Sequence, residues 1–166
     1  MFKQIFLPIL ATIAFIILVG FLSQSSNNSN FNLLSIASPS PTFYEMTVGE
    51  TKVDVEIAKT QKERQVGLSN RSSLDENKGM LFVFEKNVTP VFWMKDTQIA
   101  LDLIWIKDGM VIDITKNVQP EPGIPDDKLT RYNPDGFVDY VLEVNGGFSD
   151  KYSLKIGEPV QIPPIP

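Results

Sequence analysis

"VFWMKDTQIALDLIWIKDG", residues 91–109, is the stretch of this sequence that most constrains the fold, and it holds both tryptophans of the chain. Two runs within it, VFWMK and LDLIWIKD, are rich in β-branched and aromatic residues and are apolar on both faces. Runs of this kind are typical of strands that are covered on both sides. We therefore predict two central strands, joined into a hairpin by the five residues DTQIA.

The register of this hairpin decides how its charged residues are used. With Lys95 opposite Asp102, Trp93 would face Ile104 on the same side of the hairpin. A cross-strand pair of opposite charges costs less than either charge alone on an apolar face, so the commoner interpretation is a structural ion pair. The alternative is a site in which the pair holds a polar ligand beside Trp93.

The rest of the domain shows the periods of short strands and one capped helix. Residues 53–57 alternate between apolar and acidic, and GMLFVFE, MVIDITK, DYVLEVN and the end of IGEPVQI also read as strands. Thr60 and Glu63 have capping-box spacing and predict a short helix to about Leu68. FSDKYSL predicts a second, brief helix, and Asp108-Gly109 predicts a tight hairpin.

These elements predict a mainly β, α+β domain with one or two short helices, built as a compact antiparallel barrel or sandwich. Residues 116–137 carry four prolines and little periodicity, which predicts a long surface loop. We place this folded domain at residues 43–166.

The segment before the domain has a different composition. Residues 5–22 carry no charge and, as a helix, would span roughly 27 Å, near the ~30 Å core of a bilayer. With Lys3 in a cytoplasmic start (residues 1–4), this predicts a single-pass signal-anchor that places the domain outside the cytoplasm. Residues 23–42, rich in Ser, Asn and Pro, read as a flexible linker. If the leader is instead cleaved, the domain is secreted.

Composition excludes several chemistries. The chain has 166 residues, 15 Lys and Arg against 20 Asp and Glu, and a net charge of −5, which does not fit a nucleic-acid binder. It has neither Cys nor His, so thiolate nucleophiles, imidazole bases and the usual zinc sites are ruled out. We predict no metal and no cofactor.

Outside the hairpin, a few polar residues are candidates for a site. Arg64 and Arg71 flank the capped helix, and their guanidinium forks suit carboxylate or phosphate groups, although such residues more often cap carbonyls or pair with acids. Glu143, opposed to the apolar face of its strand, is more simply solvent-exposed than an acid leaning over an opening. The residues of NPDGFVD are better explained by turn formation than by calcium binding.

FWMKDTQIALDLIWI resembles the signature of domain-of-unknown-function family 192, in which the same stretch reads FWMKNT-x-x-PLD. The matching pattern continues in AKTQKERQVGLSNR, GMLFVFE, YVLEVNGG and GEPV, so the resemblance covers residues 53–162. Arg64 and Arg71 fall on matched positions, whereas Asp96 replaces the usual Asn and Ala100 the usual Pro. The resemblance implies a small, mostly β domain, often secreted or membrane-tethered, and no settled activity, substrate or cofactor.

Three functions remain open from the sequence. The favoured one is a membrane-anchored binding or accessory module, not an enzyme, for an envelope glycan or another small polar ligand. The alternatives are a hydrolase of envelope glycans that uses carboxylates such as Asp96 and Asp102 or Glu143, and a scaffold for a protein partner. The predicted ligand-binding residues are Trp93, Lys95, Asp96, Asp102, Arg64 and Arg71.

Overall fold

The computed structural model of the protein describes residues 41–166, with the side chain of Lys86 left out. The predicted transmembrane segment at residues 5–22 and most of the predicted linker lie outside the described residues. Within residues 41–166, no helix is long and apolar enough to cross a bilayer.

Seven strands and two short helices make up this domain. The helices are α1 (Gln61–Val66) and α2 (Phe148–Lys151). The strands are β1 (Tyr44–Val48), β2 (Thr51–Ala58), β3 (Lys78–Val88), β4 (Leu101–Lys107), β5 (Met110–Val118), β6 (Val138–Asn145) and β7 (Val160–Gln161). The prediction of a mainly β domain with one or two short helices is confirmed, and β1 is a strand that the sequence patterns did not reveal.

All seven strands belong to one sheet with the order β5, β4, β6, β3, β2, β1, β7. Every neighbouring pair is antiparallel except β2 and β3, which are parallel because α1 and the loop after it carry the chain back along the sheet. The sheet curls until its two edges meet at one end, where Val111 N donates to Glu158 O (2.9 Å) and Val160 N donates to Gly109 O (2.8 Å). The fold is therefore a curled half-barrel and not a two-sheet sandwich.

The two faces of the curled sheet each bury an apolar cluster. Val55, Leu81 and Ile104 belong to the cluster on one face, and Phe82 and Trp105 belong to the cluster on the other. β4 is buried along its whole length apart from its last residue, as the two-sided apolar pattern of LDLIWIK predicts. This explains why the central strands show apolar residues at successive positions instead of alternate ones.

Two local predictions are confirmed in detail. The Thr60 hydroxyl accepts from Glu63 N (3.2 Å), and the Glu63 carboxylate accepts in return from Thr60 N (2.8 Å), so the capping box starts α1 as expected. The hydrogen bonds that the Glu63 carboxylate accepts from the amides of Thr60 and Lys59 lower the pKa of Glu63. At the β4–β5 hairpin, Asp108 and Gly109 both have positive φ, 50° and 72°, as a type I′ turn requires.

The predicted hairpin of residues 91–107 is wrong in its first half. Residues 91–95 form no strand, and Phe92 makes only an isolated bridge to Tyr132 in the long loop, with N–O distances of 2.8 and 2.9 Å. The physical reason is that β5 and β6 occupy both edges of β4, so no edge is left for a third partner. Lys95 and Asp102 consequently do not pair.

Candidate functional site

A cleft of about 200 Å³ opens between α1, the middle of β3 and the irregular segment at residues 90–97. The irregular segment can form one wall because it is not part of the sheet. The opposite wall is α1, which the parallel β2–β3 crossover brings over the same face of the sheet. The cleft therefore depends on two features of the topology, the irregular segment at residues 90–97 and the parallel crossover from β2 to β3. A fold built only of antiparallel hairpins would have neither.

Aromatic side chains supply most of the wall. Phe82 and Phe84, two residues apart on β3, point to the same face, and Phe92 packs against both edge to face with ring centroids 5.0 and 6.2 Å away. Behind them, Phe92 also meets Trp105 at 5.5 Å and 90°. These contacts hold the rings in place without a ligand, so the wall is preformed.

Trp93 forms the rim of this aromatic wall. Its side chain is 44% exposed, and the Arg131 guanidinium from the long loop lies 4.3 Å from its ring centroid. Val66 and Val91, also exposed, line the cleft beside it. The cleft mouth is thus open and partly apolar, and an exposed apolar patch of this kind is typical of a binding site.

Glu143 lies in the lining of the cleft and is only 7% exposed. Its strand β6 lies between β3 and β4, where its backbone pairs with Met80 and Leu103. Burial raises the pKa of Glu143 to about 8, and the positive charge of Arg71 opposes that rise. No hydrogen bond from residues 41–166 reaches its carboxyl. At neutral pH the group is therefore mostly an uncharged acid that faces the cleft.

The prediction that Glu143 is solvent-exposed is wrong. The alternation of DYVLEVN indicated one apolar and one wet face, but β6 is an interior strand that is covered on both faces. The signal that was available is that Glu143 shares its face with Val141 and lies between Leu142 and Val144 in the sequence. An acid among apolar residues of an interior strand is a candidate for a perturbed pKa and hence for a site.

Arg64 lies in the cleft and Arg71 beside it. Arg64, on α1, donates from Nη1 to the carbonyls of Lys59 (2.6 Å) and Val83 (2.9 Å), and its guanidinium lies 5.2 Å from the Phe84 ring centroid. Arg71 forms a two-pronged ion pair with Glu56 at 2.5 and 2.8 Å, which raises the pKa of Arg71. Arg71 is not part of the cleft lining, and acts there only through its charge on Glu143.

We expect the Arg71–Glu56 pair to stabilise the fold measurably because both side chains are largely buried, 32% and 13% exposed. A double-mutant cycle with Arg71→Gln and Glu56→Gln, followed by urea unfolding, should give a coupling of roughly 1 to 3 kcal/mol. The matched control is the exposed pair Lys52–Glu45, whose cycle should give a much smaller coupling. Equal couplings in the two cycles would contradict this assignment.

Lys95 and Asp96 occupy the far end of the irregular segment. Lys95 lines the cleft, and its ammonium pairs with Asp126 of the long loop, which raises the pKa of Lys95. Asp96 faces a separate depression and has φ of 54°, while its carbonyl accepts from Asn70 N (2.7 Å). Asn and Asp tolerate positive φ best after Gly, so backbone conformation explains why an Asp can replace the Asn of the resembling signature here.

Asp102 is a structural residue of the fold and not part of the cleft lining. It is completely buried and accepts from three backbone amides: Asn117 N (2.7 Å), Gly147 N (3.0 Å) and Ser149 N (2.7 Å). The carboxylate thereby ties the start of β4 to the end of β5 and to the first turn of α2. The predicted partner, Lys95, is bound elsewhere.

The structure thus brings Arg64, Trp93 and Lys95 together in one cleft and separates them from the other three predicted residues. Asp96 lines a different depression, Asp102 is sealed in the core, and Arg71 pairs with Glu56 outside the lining. The sequence patterns gave Glu143 only as a less favoured candidate and missed the two phenylalanines of β3. No cluster of three or more potential metal ligands occurs in the part of the chain that the structure describes.

The fold and the cleft define a small β-rich domain with an aromatic pocket around a buried acid. The chain belongs to domain-of-unknown-function family 192, whose family model, described as "Uncharacterized ACR", matches residues 44–162. This confirms the family that the motif resemblance indicated. No curated protein matches the chain.

Two solved structures share the fold. A protein from Sinorhizobium meliloti, described as a "putative transcription regulator", superposes with a TM-score of 0.65 at 26% identity, over 74% of this chain and 95% of that chain. A protein of unknown function from Novosphingobium aromaticivorans superposes with a TM-score of 0.68 at 28% identity, over 76% of this chain and 89% of that chain.

Proposed function

We propose that this chain is a membrane-anchored, extracytoplasmic binding module, and that its cleft holds a small ligand with both apolar and polar groups. The observation that carries the proposal is the cleft itself, whose lining combines a preformed aromatic wall with a buried, mostly uncharged Glu143 that has no hydrogen-bond partner among residues 41–166. Concave sites with mostly apolar walls and a few convergent polar groups are the usual form of small-molecule sites.

The size of the cleft limits what can enter. Its volume of about 200 Å³ lies below the ~300 to 1,000 Å³ that is typical of sites for drug-sized ligands. A single ring-sized group therefore fits, either as a whole ligand or as the end of a longer one. The exposed apolar rim at Val66, Val91 and Trp93 would contact the part of a longer ligand that stays outside.

A sugar unit of an envelope glycan meets these requirements. The apolar face of a sugar ring packs against aromatic side chains such as Trp93, and its hydroxyls need hydrogen-bond partners such as Glu143 and the nearby Gln61 and Gln65. The sequence indicated the same ligand class. Its support is the cleft and not the Lys95–Asp102 pair, which does not form.

Two other functions are less favoured by the geometry. Glycoside hydrolysis through two carboxyls needs them roughly 5 to 10 Å apart, but Glu143 is the one carboxyl among the described residues that line the cleft. Transcription regulation, the description of the Sinorhizobium protein, would need a basic surface for phosphate contacts, whereas this chain has a net charge of −5.

Ligand binding should depend on Trp93. We expect Trp93→Ala to weaken binding about 3- to 10-fold, since a stacked aromatic contributes about 0.5 to 1.5 kcal/mol beyond its area. The measurement is a thermal-shift and tryptophan-fluorescence screen of envelope sugars and small metabolites, followed by calorimetry on the hits. Phe137→Ala is the matched control, because Phe137 is an exposed aromatic that does not line the cleft. A silent screen, or equal losses in both variants, would refute the binding module.

Anchoring should depend on residues 5–22. We expect the full chain to stay in the membrane pellet after alkaline carbonate washing, and a variant that lacks residues 5–22 to be recovered in the soluble fraction, since an uncharged segment of that length matches the bilayer core. External protease on intact cells should degrade the domain while a cytoplasmic control survives. A shortened product in the medium would show instead that the leader is cleaved.

A further inference from the structure

Resting on the proposed binding function, we propose that the cleft selects a ring that bears a carboxylate, which accepts hydrogen bonds from the Glu143 carboxyl and from the unused donors of Arg64. The ring packs against the aromatic wall. This names the charge and the chemical class of the ligand, which the volume and the apolar lining by themselves leave open.

The sign of the charge in the cleft is the first argument. Arg64 and Lys95 are the cations of the lining and Glu143 is its one acid among the described residues, although the whole chain is acidic. Burial holds the pKa of Glu143 near 8, so at pH 7 this acid leaves the positive charge of Arg64 unbalanced within the cleft. Lys95 is paired with Asp126 and therefore adds little net charge. The lining therefore attracts anions.

The unused donors of Arg64 are the second argument. Its Nη1 is held by the carbonyls of Lys59 and Val83, which fixes the orientation of the guanidinium. Within residues 41–166, neither Nη2 nor Nε of Arg64 has an acceptor. A planar guanidinium whose other edge is already anchored can present these two donors to a carboxylate at little further entropic cost.

The third argument is the position of the Glu143 carboxyl. The residue is more than nine-tenths buried, its carboxyl accepts no hydrogen bond from the described residues, and it belongs to the cleft lining, so a ligand in the cleft can reach it. In its acid form it is a donor, and an O–H donor bonded to a carboxylate is one of the stronger hydrogen bonds in proteins. The charged group that acts on it is Arg71, which is itself paired with Glu56, so no unpaired anion competes for its proton.

A cationic ligand fits the same walls less well. Aromatic rings attract cations, but the guanidinium of Arg64 already lies over Phe84 and that of Arg131 over Trp93. An ammonium group in the cleft would lie close to Arg64, and would also need Glu143 to ionise although burial favours its uncharged form. Both effects work against binding of an amine.

The test is calorimetric titration of the full-length chain in detergent at pH 6.5 with benzoate, benzamide and benzylamine, which share one ring and differ in charge. We expect benzoate to bind at least about tenfold more tightly than benzamide, and benzylamine to bind weakest. Titration with glucuronate and glucose makes the same comparison for a sugar ring, so the two series distinguish an aromatic acid from an acidic sugar.

Preference for the neutral or cationic member of both series would overturn the inference while leaving a binding module intact. No heat with any of these compounds would also overturn it, and the proposed function would fail only if the wider screen were silent as well.

Variants of Glu143 separate its hydrogen bond from its charge. Above pH 8 we expect benzoate affinity to fall by about tenfold per pH unit, because an ionised Glu143 repels the ligand and no longer donates. Glu143→Gln keeps a neutral donor, and should bind about threefold more weakly with a flat pH profile, while Glu143→Leu should lose about tenfold or more. Lys52→Gln, which removes one charge far from the cleft, is the control and should change neither. A wild-type profile that stays flat through pH 9 would contradict the role given to Glu143.

Discussion

Asp102→Ala is expected to lower the free energy of unfolding by roughly 3 to 5 kcal/mol, the largest effect of any single substitution considered for this protein. The change leaves three backbone donors without their acceptor, at Asn117, Gly147 and Ser149; the Ser149 amide is buried and the other two are partly buried. Each buried donor that loses its partner costs about 1 to 3 kcal/mol, and more when the lost acceptor was charged. Chemical denaturation with urea at pH 7 measures the effect.

A graded pair of variants tests the explanation. Asp102→Asn keeps one oxygen, which can still accept from two of the three amides, but turns an NH₂ group toward the third donor, so its loss should lie between wild type and Asp102→Ala. Asp54→Ala, at an exposed acid on β2, is the control and should change little. If Asp102→Ala cost less than about 1 kcal/mol, the three bonds would not hold the end of the sheet together.

The second large effect is a dependence of stability on pH that comes from Glu143. Its pKa is raised in the folded protein from an ordinary value of 4.5 to about 8, so the folded state holds this proton more tightly than the unfolded state does. The stabilisation is complete below the unfolded pKa and is lost as the pH rises toward 8. We expect the loss from this one group to reach roughly 3 to 5 kcal/mol between pH 5 and pH 9.

Comparison with Glu143→Gln isolates this contribution from all other titrating groups. The amide has no proton to lose, so the difference in unfolding free energy between variant and wild type should grow in favour of the variant from pH 5 to pH 9. Glu85→Gln, at an exposed position of β3, is the matched control and should follow the wild-type profile. Parallel profiles for wild type and Glu143→Gln would mean that Glu143 ionises freely, which would remove the uncharged acid from the cleft as well.

The two residues show why the fold was easier to predict than the site. The partners of Asp102 lie 15 to 47 positions further along the chain, and nothing near Asp102 in the sequence indicates them. Lys95, on the other predicted strand of the hairpin, suggested a pair with Asp102, but in the structure Lys95 pairs with Asp126 instead. A charge on an apolar strand is a reliable sign that some partner exists, but its identity depends on which segments meet there.

The sequence by itself determined the elements that are stabilised by interactions between residues close together in the chain. Period-two patterning predicted β2 and β6, and the two-sided apolar run predicted β4. The Thr60–Glu63 spacing predicted the start of α1, and Asp108-Gly109 predicted the turn between β4 and β5. Strand pairing across long loops decided the rest: β6 became an interior strand, residues 90–97 became a cleft wall instead of a strand, and Glu143 became a buried acid. The pKa and hydrogen bonds of a side chain depend on groups that are close in space, and which groups these are is settled only when distant segments pack.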